Sequence, residues 1–207
     1  MPEKIIYLIR HAEPEYPAGE RICLGCHVDV PLSRQGRRQA EQLRDAFSDI
    51  ALEAAFTSPL LRARETAQVL GRGVLPVEVV PALRELDGGV WDGLPFSEIY
   101  ARWPEHFHGS CRSEPPPGGE SDQAGWARGL DALCGIAGRI DRCAAVVAHS
   151  GLNRLLLCGL MGQPLQLKKR VPQSYACVSI LDWQDGHFTV REAGIPLEVW
   201  AQRAART

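Results

Sequence analysis

The chain has 207 residues, 45% of them hydrophobic and 23% charged, with a formal net charge of −2 and a pI near 6.3. This is the make-up of an ordinary globular chain, expected to form one domain over residues 1–207. It excludes the basic footprint of a nucleic-acid binder or of a protein drawn to anionic membranes, so an anionic ligand must be held by a local cluster.

No apolar run is long enough to span a bilayer or to form the core of an export signal. The seven cysteines are an odd number scattered among apparent helices and strands, and they read as reduced residues of a cytoplasmic protein.

Ile5, Ile6, Tyr7, Leu8 and Ile9 form an unbroken apolar run, the pattern of a strand covered on both faces in the middle of an α/β sheet. Arg10, His11 and Glu13 follow at once, where such a strand runs out into the ligand-binding mouth of the sheet. Arginine offers a fork for phosphate or carboxylate, and a neutral imidazole beside it can serve as nucleophile or base.

The loop from Pro14 to Pro31 contains Cys23-Leu24-Gly25-Cys26-His27, which matches the C-x-x-C-H pattern of covalent haem attachment. Haem attachment requires export, and a zinc site lacks a fourth ligand nearby in sequence, so an ordinary loop with no metal and no cofactor is expected.

Ser33 is placed to cap a helix over 35–47, with Ala40, Leu43 and Phe47 at helical spacing. Ala54, Ala55 and Phe56 make a second strand, and Pro59 begins a helix that Gly71 stops. Arg62 falls in the first turn of that helix, where a cation opposes the dipole unless an anion sits beside it; a phosphate ligand would resolve the conflict.

Val77 to Val80 read as a third buried strand, after which Gly88 and Gly89 help to present Glu85. A short helix spans 96–103, a loop runs from Cys111 to Gly119, and a glycine-weakened helix extends from Glu120 to about Gly138.

Ala144 to Ala148 form a fourth buried strand, with His149-Ser150-Gly151 directly behind it. The apolar helix over 152–160 aims the N–H groups of Ser150, Gly151 and Leu152 at that strand end, a ready anion site. Two closing strands, Val178–Leu181 and Phe188–Arg191, flank an Asp185-Gly186 turn. With right-handed crossovers in a largely parallel sheet, Arg10-His11, Arg62, Glu85 and His149 emerge at one edge. Such a cluster makes a phosphate pocket with a nucleophile and an acid.

These residues resemble the histidine phosphatase superfamily, the phosphoglycerate mutase-like proteins. The family's R-H-G-E-[ST] block is matched by Arg10-His11-Ala12-Glu13-Pro14, and its D-x-P-L-[ST]-x-x-G-x-x-Q-A block runs from Asp29 to Ala40. S-P-L-x-R-A-x-x-T-A is complete from Ser58 to Ala67, and L-x-E-x-x-x-G-x-W-x-G from Leu83 to Gly93. P-G-G-E-S stands at Pro117–Ser121, and H-x-G at His149–Gly151. The departures are Ala12 for glycine, Pro14 for Ser or Thr, Pro17 where mutases carry asparagine, and one extra residue between Gly25 and Asp29.

The resemblance implies a three-layer α/β/α fold and catalysis without metal or cofactor through a phosphohistidine on His11. Arg10, Arg62 and a protonated His149 would bind the phosphoryl oxygens, with Ser150, Gly151, Gly25 and Cys26 also at the substrate. Glu85 would serve as acid and then base. The chain looks most like the small bacterial phosphatases, such as α-ribazole phosphatase and the broad-specificity sugar phosphatases, acting on a small phosphorylated metabolite. The alternatives are a phosphoglycerate mutase and, less favoured, a non-catalytic module that binds a phosphorylated ligand. Neither nucleic acid nor membrane is an expected partner, and a homodimer is left open.

Overall fold

The computed structural model describes residues 3–107 and 114–205. The first part of the loop expected from Cys111 to Gly119 lies outside the described residues.

Strand β1 (Lys4–Arg10) alternates its apolar side chains between two cores. Ile9, with Ile5 and Tyr7 beside it, joins the core under helices α1 (Arg34–Ala46), α2 (Leu61–Leu70) and α6 (Leu197–Ala204). Ile6 and Leu8 join the opposite core, under α4 (Asp122–Ala137) and α5 (Ser150–Leu160). Ile6, Leu8 and Ile9 are at most 1% exposed, and burying each contributes about 1.5–3 kcal/mol. Packing on both faces therefore fixes the strand that carries Arg10 and His11 at its end.

The six-stranded sheet has the order β3-β2-β4-β1-β5-β6. Strands β3 (Val77–Val79), β2 (Ala54–Thr57), β4 (Cys143–Ala148) and β1 are parallel. β5 (Val178–Gln184) and β6 (His187–Ile195) run antiparallel. With helices on both faces, this is the expected three-layer, largely parallel α/β arrangement. β2, β4 and β1 are neighbours that end on the same side, which brings Ser58, His149 and His11 together.

The closing strands are longer than expected because the Asp185-Gly186 turn, with both residues at positive φ (50° and 86°), continues the ladder instead of ending it. β3 departs further from expectation. It is the edge strand, with Val79 43% exposed, and is not buried. Glu85 is reached from it only through a 3₁₀ turn at Pro81–Leu83.

Side-chain caps set two helix starts. Ser33 Oγ accepts from Gly36 N at 2.9 Å, as expected. Ser121 caps α4 by accepting from Ala124 N at 3.1 Å, so that helix begins two residues after Glu120. Its glycines have a packing role: a Cβ at Gly129 would lie 2.7 Å from Leu152 Cδ1, so glycine lets α4 approach α5 closely. α2 begins at Leu61, after Pro59, because its first N–H groups are capped from elsewhere: Leu61 N donates to Asp29 Oδ1 at 2.7 Å. No helix among the described residues is long and apolar enough to cross a membrane.

Candidate active site

His11 lies at the floor of a pocket of about 390 Å³ that also receives Arg10, Arg62, Glu85 and Gly151. The histidine stands where β1 runs out into the mouth of the sheet, yet it is only 4% exposed. It is sunk between β1 and β4, with its backbone N–H on Ala148 O at 2.9 Å. Its Nδ1 lies 2.7 Å from Ala12 O. A carbonyl only accepts, so Nδ1 carries the proton and Nε2 keeps the free lone pair. Burial, reinforced by the charges of Arg62 and Arg10, holds the His11 pKa well below its ordinary value. The imidazole is neutral at pH 7.

Arg62 is 1% exposed. Its guanidinium donates to Gly25 O at 2.8 Å and Val28 O at 3.0 Å, which settles the conflict with the dipole of α2 through loop carbonyls. Its Nε is buried with no partner among the described residues, as is Nε of Arg10. Arg10 donates through Nη1 to Gln173 O and stacks on the Tyr175 ring at 3.9 Å.

His149 is completely buried, with its ring centroid 5.1 Å from that of His11. Its Nε2 lies 2.6 Å from Ser58 Oγ, and its Nδ1 has no partner among the described residues. Burial first, then the charges of Arg62, His11 and Arg10, push its pKa well below the ordinary value. Without a bound phosphoryl group the His149 imidazole is therefore neutral, held so first by burial and then by its cationic neighbours; the protonated form was expected with phosphate bound.

The anion site expected at the start of α5 is filled by the protein itself. Gly151 N donates to Glu85 Oε2 and Leu152 N to Glu85 Oε1, both at 3.0 Å, and Leu86 N adds a third bond to Oε1 at 2.8 Å. Gly151 and Ser150 line the pocket, but the Gly151 N–H serves to orient Glu85. A Cβ at Gly151 would lie 2.6 Å from Glu85 Oε1, so the carboxylate needs glycine there.

Gly25 lies on the pocket wall, whereas Cys26 is absent from the lining and belongs to a cluster with His27, Asp92 and Asp87, of which Asp87 lines the pocket. The two carboxylates come from a turn some sixty residues away in sequence, a proximity that local spacing cannot reveal. Glu13 has a structural role: its carboxylate accepts from Ser33 Oγ at 2.8 Å and so ties the loop to the start of α1.

Several pocket residues escaped the sequence analysis. Ser58 supports His149, and Gln173 stands beside Arg10. Tyr16 OH lies 2.7 Å from Tyr175 OH, and Arg21 and Arg154 add two cations to the pocket wall. Arg154 stands five residues after His149 on α5, so its position one and a half turns into the helix was the available signal.

The model of the histidine phosphatase superfamily (branch 1) matches residues 6–196. The adenosylcobalamin/alpha-ribazole phosphatase of Escherichia coli is 26% identical, over 90% of this chain and 93% of that protein. The 6-phosphofructo-2-kinase/fructose-2,6-bisphosphatase of Caenorhabditis elegans is 30% identical over 93% of this chain, which spans only 45% of that longer protein. Among solved structures, YhfR of Bacillus stearothermophilus superposes with a TM-score of 0.86 at 29% identity, covering 93% of this chain and 98% of the other.

Proposed function

This chain belongs to the histidine phosphatase superfamily (branch 1), and from that premise we propose that it hydrolyses a small phosphomonoester through a phosphorylated His11. The observation that carries the proposal is the state of His11. It is buried and neutral, its Nδ1 is anchored on Ala12 O, and its free Nε2 lone pair is flanked by two arginines.

His11 Nε2 attacks phosphorus and the bond from phosphorus to the ester oxygen breaks. Arg10 and Arg62 take up the charge on the phosphoryl oxygens, with their unpartnered Nε–H groups available to donate. A dianionic phosphoryl group offsets the burial and the cationic field that keep His149 neutral, and the imidazole then gains a proton and donates to the substrate. Glu85 gives its proton to the departing alkoxide. As a carboxylate it then takes a proton from water, whose oxygen attacks phosphorus and releases phosphate and free His11. Ser58 holds the ring of His149 in place, and the α5 N–H groups hold Glu85.

The substrate is a small phosphorylated metabolite whose far end is polar or anionic, because Arg21 and Arg154 face the pocket beyond the phosphate site. Sugar phosphates and α-ribazole phosphate both belong to the class named for the chain's relatives, and the second cationic wall favours the former. A phosphoglycerate mutase must exclude water from the phosphoenzyme. Pro14 and Pro17 offer no side-chain hydrogen bond to phosphate, and the described part of the cover is a short helix α3 (Phe96–Arg102) and one 3₁₀ turn. Both features support hydrolysis.

Quenched turnover of an aryl phosphate should leave acid-labile phosphate on His11, and 3-phosphoglycerate should give at most slow phosphate release with negligible 2-phosphoglycerate. Efficient interconversion of the two phosphoglycerates without phosphate release would replace this proposal with the mutase.

A further inference from the structure

At the side of the pocket, with Asp87 on its wall, two segments far apart in sequence bring four ligating groups of three kinds together. Cys26 Sγ, a ring nitrogen of His27 and one carboxylate oxygen each from Asp87 and Asp92 all lie within 4.8 Å of one another. We propose that Cys26, His27, Asp87 and Asp92 form a site for one zinc-class divalent cation, separate from the phosphate-transfer chemistry. Two lines of observation converge on it: the Cys23-Leu24-Gly25-Cys26-His27 motif, which the catalytic site does not use, and the carboxylate pair that the fold sets against that motif.

The donor set of one sulfur, one imidazole nitrogen and two carboxylate oxygens is that of a four-coordinate ion of borderline softness. With metal–ligand bonds of about 2.0–2.3 Å, ligand atoms in a tetrahedral site stand about 3.3–3.8 Å apart. His27 Nε2 and Asp87 Oδ2 are already at 3.2 Å, and side-chain rotation closes the wider pairs.

The outer shell is also in place. Asp92 Oδ2 accepts from Cys26 N and His27 N, both at 3.2 Å, and Asp87 Oδ1 accepts from Gly89 N at 2.8 Å. Such bonds orient ligating carboxylates. Space is kept for Asp92 by glycine: a Cβ at Gly25 would lie 1.8 Å from its Oδ1, and one at Gly88 would lie 2.0 Å from it.

The charge balance favours a cation. Asp87 and Asp92 are both partly buried, and among the described residues no lysine or arginine forms an ion pair with Asp92. The two carboxylates stand beside the Cys26 thiol, and their charge attracts a metal ion that displaces the thiol proton. An occupied site would fasten the 23–28 loop to the 87–92 turn. That loop's carbonyls at Gly25 and Val28 hold Arg62, so the ion would brace a wall of the pocket without touching the phosphoryl group.

The test is titration of the chelator-treated, reduced full chain with Co²⁺, followed by competition with Zn²⁺. One equivalent of Co²⁺ should bind with a thiolate-to-cobalt charge-transfer band, and Zn²⁺ should displace it and raise the Tm. Cys26→Ser should abolish the band. Asp92→Asn, which keeps an acceptor for the two loop N–H groups, should weaken binding at least tenfold. Cys23→Ser and His11→Ala should retain the band. Absence of a stoichiometric band in the wild type overturns the site. Retention of the band in Cys26→Ser would assign the thiolate to another cysteine and overturns it equally.

Discussion

At the base of the pocket, His11 and Arg62 on its floor and His149 packed behind them are each at most 4% exposed and are held by backbone carbonyls or buried side chains. On the rim, Arg21 is exposed, and Tyr16 and Arg154 are partly so. These residues stand on a long loop and on the outer face of α5. The floor is built on the ends of β1 and β4 and the start of α2, elements fixed by two cores. Chemistry that tolerates little misplacement is thus carried by the most constrained elements. Recognition of the remainder of the substrate falls to elements that can change without disturbing the cores.

The comparison breaks first if a floor residue can be lost cheaply. His11→Ala should lower kcat/KM by at least about 10⁴-fold, the scale of losing a covalent nucleophile. Because His11 is buried, far-UV circular dichroism must show an unchanged fold. Activity within tenfold of wild type in a folded protein would remove the nucleophile from the floor.

Glu85→Gln should have the next largest effect. Glutamine keeps an oxygen for the Leu152 and Leu86 N–H groups, gives up the acceptor of Gly151 N–H, and cannot shuttle a proton. Turnover of alkyl phosphates should fall about 10²–10³-fold, within the range of general acid–base catalysis, and that of an activated aryl phosphate by much less. An equal loss for both leaving groups would assign Glu85 to positioning.

The floor was legible in the sequence because strand ends in a parallel sheet obey a topological rule, so Arg10-His11 and His149 could be placed before any contact was known. Arg62 and Glu85 came from turn chemistry after Pro59 and before Gly88-Gly89. The charge state of His149, the filling of the α5 N-terminus by Glu85 and the exposure of β3 were not legible, since each depends on what packs against the group. The meeting of Cys26 and His27 with Asp87 and Asp92 was hidden for the same reason: contacts at a separation of sixty residues leave no periodic trace.

Burial of the two histidines gives the floor a pH signature that the rim lacks. Both have folded-state pKa values well below the ordinary 6.5. Above 6.5 they are neutral in folded and unfolded chains alike. As the pH falls from there toward the folded values, the unfolded chain binds protons that the native state refuses. Ligand-free stability should therefore fall below pH 6.5, by up to about 1.4 kcal/mol per pH unit for each histidine. Denaturant midpoints between pH 7.5 and 5.5, above the main carboxylate range, would read it. Vanadate, by supplying negative charge, should flatten the slope, and a slope unchanged in His11→Ala would remove that histidine from the account.

The smallest effect belongs to the rim and tests it most directly. Arg154 Nε donates to Val171 O at 3.0 Å, which holds the side chain while its outer nitrogens remain near the pocket. Burial and the nearby charge of Arg10 lower its pKa, so a bound anion would relieve a real repulsion. A partly buried arginine on a substrate anion contributes about 1.5–3 kcal/mol, and solvent at the rim discounts this toward the lower end. Arg154→Ala should therefore raise KM about tenfold for a sugar bisphosphate or a phosphorylated acid, with kcat little changed. For p-nitrophenyl phosphate, which has no second anionic group, KM should stay within about twofold, since uniform binding is lost only where a contact existed. A fall in kcat for both substrates would mean that Arg154 acts on the phosphoryl group itself, and the division between floor and rim would have to be redrawn to include it.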